Sequence, residues 1–382
     1  MKKVFLSAVM ALSLIGLPSC SDDKNDGPDK DENVEAADIN YTKANASSWG
    51  NYMVQVAYLL RSDAQNLYNS WTQSYEGGKP FAEIFKQHNG GDYSSALSCV
   101  DQMIEGCAEI ANEVGTAKIG DPFNLWVSGE KTRAVYAVES WYSWHSRDDY
   151  SNNIMSIRNT YYGSLDGTVN SASLSALMAS VNPTLDTQMK EAIADASAAI
   201  LGIPQPFRNN INSSETRTAM TACADLEDLL SKQLKTAVAN LGNDSRLQAI
   251  VDRFVDGVAL PTYSDLAAKN SALYDKVVAF KNNPSNSTFA AACEAWLTAR
   301  EPWEKSEAFL FGPVDALGLD PNMDSWPLDQ DAIVQILNSG NYDNLDWTDG
   351  DDDDKIEAVQ SVRGFHTLEF LLFKDGNPRK VD

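Results

Sequence analysis

Arg363-Gly364-Phe365-His366-Thr367-Leu368-Glu369-Phe370-Leu371-Leu372-Phe373 sets an imidazole and a carboxylate three residues apart inside an apolar run. The run reads as helix, and residues at i and i+3 share one helix face, so both side chains can point into one site. Imidazole plus carboxylate is a common ligand pair for a transition metal. The apolar surroundings also demand partners for the pair, because burying either group alone is costly. The H-x-x-E spacing is short, and a His beside an apolar face is more often a hydrogen-bonded core residue than a ligand.

Helical periodicity extends outward from this stretch. Trp49, Met53, Val56, Leu60, Ala64, Leu67 and Trp71 recur at spacings of four and three, as do Ala96, Val100, Met103, Cys107, Ile110 and Val114. Leu185, Met189, Ile193, Ala196 and Ile200 follow Pro183, which suits a first helical turn. Met220, Cys223, Leu226, Leu230 and Leu234 form another stripe, and Phe289, Cys293, Trp296 and Trp303 one more, with Pro302 as a kink or break. No strand-like alternation competes, so the expected fold class is all-α, two packed helical bundles. Gly242 ends one pattern. Asn243 to Ser264 reads as a Pro-containing connection, with Ser264 as N-cap of a helix carrying Leu266, Leu273, Val277 and Phe280. The expected domains are therefore a helical bundle over 37–245 and a second helical domain over 246–382. Asp349 to Lys355 is an acidic run without the ligand spacing or terminal Glu of an EF-hand, and reads as a solvated loop.

The start of the chain reads as an export signal over 1–19: Lys2 and Lys3, then an apolar run from Val4 to Leu17, too short for a confident membrane span. Leu17-Pro18-Ser19-Cys20 resembles a lipobox, which makes Cys20 the lipidation site and the membrane a partner through its lipid. Residues 20–36 are polar and acidic and read as a disordered tether. The expected location is exported and lipid-anchored at the outer membrane, periplasmic or surface-facing. A net charge of −24 argues against nucleic acid as a partner, since binding it depends on neutralising phosphates. The same charge suits capture of cations. Cys99, Cys107, Cys223 and Cys293 sit inside amphipathic patterns and read as buried free thiols.

Three blocks resemble the imelysin-like family, also classed among metallopeptidases. They are Thr298 to Pro313 with its Arg300-Glu301-Pro302-Trp303-Glu304 core, then Trp326-Pro327-Leu328-Asp329, then Arg363 to Phe373, which fits the family's G-x-H-x-x-E signature through Gly364, His366 and Glu369. Glu139 to Ile154 with Tyr161-Tyr162-Gly163 resembles blocks of the family's second half, as do Gly106 to Ile119, which contains Glu113, and Ile203 to Phe207. In the family's usual order those pieces follow the G-x-H-x-x-E block; here they precede it. The resemblance therefore implies a circularly permuted order, which nearby termini make tolerable.

The resemblance implies a part in bacterial iron uptake, alongside other uptake components, and a proposed peptidase activity. A zinc peptidase needs about three protein ligands, an open position and a general base, a role that would fall to Glu369. An iron binder needs only a cluster of imidazole and oxygen ligands, which fits the acidic chain better, so iron is favoured and zinc is the alternative metal. His366 and Glu369 supply two ligands, and the remainder are expected from Glu113, Glu139, His145 or Glu307. The duller readings are that Glu307 pairs with Arg300 or Lys305, that Ser140, Ser143, Ser146 and Asp149 are helix caps, and that Trp141, Trp144, Trp303 and Trp326 are core anchors. A third reading is a surface-anchored module for a small organic ligand, with His366 in the pocket floor.

Overall fold

A computed structural model describes residues 39–342, 345–348 and 350–381. The signal, the tether and Cys20 lie outside the described residues. The fold is all-α. Its principal helices are α1 (Ala46–Thr72), α2 (Ala96–Glu113), α3 (Ser146–Tyr162), α4 (Pro183–Gly202), α5 (Ser214–Asp228), α6 (Leu260–Asn282), α7 (Asn286–Glu304) and α8 (Gly364–Leu372). A two-residue hairpin, Phe373–Lys374 with Asn377–Pro378, closes the C-terminal end. No described helix is long and apolar enough to cross a membrane.

The helices start where local chemistry favours it. Ser95 caps α2 and Ser285 caps α7, each in a reciprocal capping box. Asn182 accepts from the Leu185 N–H ahead of α4, with Pro183 in the first turn. Every member of the Trp49 to Trp71 stripe is buried. That face of α1 packs chiefly on α6, which also packs on α7; α3 and α5 pack on α4, and α2 on α5. Helix α1 thus lies in the expected first domain by sequence yet packs on α6 and α8 of the expected second. Helix α7 contacts α3, which joins the two groups.

The stretch read as a connection over 243–264 is instead helical from Arg246 onward. Arg246–Phe254 runs through a π-helical turn, Val255–Ala259, straight into α6. Pro261 comes just after that turn, where the hydrogen-bond register is already shifted and a missing N–H is absorbed. Ser264 is accordingly inside α6 and not a cap. Part of the acidic run is also helical: Asp352 accepts from the Lys355 N–H and caps Asp353–Gln360. Pro302 lies inside α7, one turn from its end. The four described cysteines are buried free thiols, and burial pushes the Cys107 thiol up to about 12.

Helix α8 is suspended in this core. Trp49 Nε1 donates to Leu371 O at 3.1 Å, Tyr52 Oη to Val362 O at 2.7 Å just before the helix, and Trp296 Nε1 to Phe365 O at 2.9 Å. These donors fix the height and rotation of the segment that carries His366.

Candidate functional site

Gly364 opens α8 at φ +84°. A Cβ there would lie 2.5 Å from Met323 O, so only glycine lets α8 abut the short helix Leu319–Asp324. That approach places Asp324 beside His366. The imidazole is fully buried, with Nε2 3.1 Å from Asp324 Oδ1 and 3.3 Å from Glu139 Oε1. Its other nitrogen, Nδ1, lies 3.1 Å from Glu369 Oε2. Glu369 is held in turn, with Oε1 accepting from Ser143 N at 2.8 Å and Ser143 Oγ at 2.7 Å. The Trp326 ring packs edge-on against the imidazole at 4.9 Å.

Arg300, also fully buried, supplies the positive charge at the centre. Its Nη2 lies 2.6 Å from Glu139 Oε1 and 2.5 Å from Glu304 Oε1, Nη1 pairs with Asp324 Oδ1, and Nε is 3.5 Å from Asp149 Oδ2. The same Nη2 is 3.3 Å from His366 Nε2. The far oxygen of Glu139 receives Lys118 at 2.9 Å, a residue delivered by the π-helical turn Val114–Lys118 that ends α2. Burial pushes Glu139 up, but Lys118, His366 and Arg300 outweigh it and hold the carboxyl well below the usual range. For His366, burial and Arg300 both push down; the Asp324 and Glu139 carboxylates overcome them and keep it protonated well above the ordinary histidine range. Glu304 and Glu307 go the other way, raised mainly by burial with nearby carboxylates adding to it.

Ligand atoms of Glu139, Asp324 and His366 all lie within 4.8 Å of one another, as do those of Glu304, Glu307 and Asp324. The first set offers two carboxylates and an imidazole, a donor set suited to a first-row transition metal. The profile of the imelysin family matches residues 23–233 and 259–382. The chain belongs to the imelysin family. Its fold superposes on that of an imelysin peptidase from Bacteroides ovatus with a TM-score of 0.90 and 61% identity, over 91% of this chain and 100% of that one. A curated relative, iron-regulated protein A of Synechococcus elongatus, is 28% identical over 172 residues, 43% of this chain but 38% of that relative, so the match spans well under half of its length.

In this imelysin chain the residues expected at the site divide into those that meet and those that do not. Gly364, His366, Glu369 and Glu139 converge. Glu369 faces the nitrogen of His366 opposite to Glu139 and Asp324. Glu307 lies in the neighbouring carboxylate group and pairs with neither Arg300 nor Lys305, whose ammonium meets Glu301 instead. Glu113 is exposed at the rim, 3.5 Å from Lys118. His145 precedes α3 and pairs with Asp148 at 3.4 Å. The serines are not caps: Ser143 holds Glu369, Ser140 donates to Asp149 at 2.6 Å, and Ser146 donates to Glu139 O at 2.5 Å. Asp149 is likewise not a cap but a buried partner of Arg300. Trp141 and Trp303 are buried core rings, whereas Trp144 and Trp326 are half-buried. Asp324, Lys118 and the central role of Arg300 escaped the sequence reading. The one signal for them was Arg300 and Glu304 at i,i+4 on the helix that carries Trp296 and Trp303.

Asp320, one turn before Asp324, has its carboxyl raised to about 7 by burial and by Asp324. Its unfolded counterpart ionises near 4. Its contribution to stability is therefore complete below pH 4 and lost as pH rises to 7. Asp320→Asn should match the wild type near pH 4 and exceed it near pH 8 in urea unfolding midpoint. An equal offset at both values would show that Asp320 ionises normally.

Proposed function

We propose that this chain is an exported, lipid-anchored protein that captures a metal ion, iron before zinc, at Glu139, Asp324 and His366 and serves bacterial iron uptake with other uptake components. The observation that carries the reading is the convergence of those three ligand atoms, from segments far apart in the chain, within 4.8 Å. Glu369 supports it: a carboxylate on Nδ1 orients the ring and presents Nε2, the usual arrangement behind a metal-bound histidine. The guanidinium of Arg300 lies against all three ligand atoms and Nε2 carries a proton, so an ion binds these donors only by displacing both, its resident competitors. The iron-regulated name of the curated relative adds support. The reversed order of the family blocks belongs to the same reading, and a superposition that keeps the family's conventional connectivity throughout would remove it.

The peptidase reading draws on the name of the Bacteroides ovatus protein. It would need Glu369 as a base beside Nε2, whereas Glu369 is engaged by Ser143 and by Nδ1 on the other side of the ring. Metal titration by calorimetry, with metal analysis of the purified protein, tests the choice. The wild type should bind Fe(II), His366→Ala should lose it, and Glu369→Gln should weaken it by about 10–100-fold as an orienting partner. No metal uptake by the wild type would refute capture. Chelator-sensitive peptide hydrolysis that requires Glu369 would favour the peptidase.

A further inference from the structure

Beside the buried centre lies a surface groove of about 470 Å³, within the range of small-molecule sites. Its walls are aromatic: Trp126, Tyr136, Trp141 and Tyr142. Lys131 sits over the Trp126 ring at 5.2 Å, and the Arg208 guanidinium over the Trp141 ring at 4.4 Å. Trp141 and Tyr142 stack on each other with centroids 4.2 Å apart and are 6% and 2% exposed. Despite that burial, Trp141 Nε1, Tyr142 Oη and Arg208 Nε have no hydrogen-bond partner. The lining holds three cations, Lys131, Arg208 and Lys374, against one carboxylate, Asp375. Asp375 is 57% exposed and pairs with Arg208 Nη2 at 3.2 Å. On a chain of net charge −24, a groove with that balance is a local reversal of sign.

We infer that this groove is a binding site for a small aromatic carboxylate, its ring against the half-buried Trp126 wall and its carboxylate toward Lys131 and Arg208. Lys131 and Arg208 face one carboxylate in this groove, the exposed Asp375, and a ligand carboxylate supplies further acceptors for them. Tyr142 and Arg208 cover the two faces of Trp141, which leaves Trp126 as the wall on which a planar ligand ring stacks at a small entropic cost. The groove adjoins the buried centre without sharing its ligands: Tyr142 packs edge-on against Phe370 at 5.1 Å, and Ser143, the next residue, holds Glu369. This assignment stands independently of metal capture.

Tryptophan fluorescence and calorimetry on the full chain with benzoate as the probe should show saturable one-site binding. Cyclohexanecarboxylate, which keeps the charge and loses the π face, should bind about fivefold more weakly, and benzyl alcohol, without the charge, more weakly still. Lys131→Gln changes an exposed residue and leaves folding intact, and should weaken benzoate about fivefold; Arg208→Gln should do so about tenfold. His366→Ala should leave benzoate binding unchanged, which separates this site from the metal reading. Absence of saturation at millimolar benzoate, equal affinity for cyclohexanecarboxylate, or unchanged binding in Lys131→Gln would overturn the assignment. So would loss of benzoate binding in a folded His366→Ala protein.

Discussion

Arg300→Met lowers stability at pH 7.5 by about 3–5 kcal/mol, the cost of leaving buried carboxylates without their cation. Glu139, Asp149, Glu304 and Asp324 all touch the guanidinium, and Lys118 reaches only Glu139 among them. Arg300 is also a main influence holding Asp324 below its ordinary range against burial. Without it, Asp149 and Glu304, already raised by burial, titrate further above their unfolded values, while Lys118 and His366 still hold Glu139 down; the variant's stability is therefore greatest at low pH and falls as pH rises from about 4 through 7. Urea unfolding at pH 5 and 7.5 checks both the size and the slope. The metal reading adds a second expectation: Fe(II) restores part of the loss at pH 7.5, because a cation re-enters a site whose competitor is gone. Unfolding midpoints identical to wild type at both pH values would refute the charge network as described.

Gly364→Ala has the other large effect. A residue other than glycine at φ +84° carries about 1–3 kcal/mol of backbone strain. The new Cβ would also lie 2.5 Å from Met323 O, and a backbone carbonyl yields less readily than a side chain. The relief open to the fold is to part α8 from Leu319–Asp324, which withdraws Asp324 from His366. Both stability and metal affinity should fall, the affinity by more than about tenfold, since one of three ligands leaves. Gly202→Ala is the control. Gly202 sits exposed at the end of α4, where an added Cβ would meet nothing within 4 Å, and the substitution should change stability by less than about 1 kcal/mol. Equal effects at the two positions would show that Gly364 is not special.

Much of this was legible in the sequence because periodicity reports burial directly. The Trp49 to Trp71 stripe becomes the buried face of α1, and the His366–Glu369 spacing becomes a contact at 3.1 Å. Glu139 was among the candidates because it sits in a recognisable block. Asp324 and Arg300 were not legible as site residues, since a lone Asp before a Ser-Trp-Pro turn and an Arg on a helix look like solvated charges. Only the approach permitted by Gly364 and the crossing of α7 over α3 bury them. The continuous helix through Pro261 was hidden for a related reason: a π-helical turn has no sequence periodicity of its own, so the Pro-containing stretch read as a connection.

The carboxylates gathered around Arg300 come from two separate stretches of the sequence, Glu139 being 161 residues from the arginine and 227 from His366. While the chain is half assembled, each of these charges stays in water, where it is content alone. The guanidinium meets Glu304 and Asp324 from its own stretch of chain, and Glu139 and Asp149 only when the earlier stretch packs against it. The full set of contacts around the guanidinium therefore exists only in the assembled fold, and the cluster ties two distant stretches of the chain together.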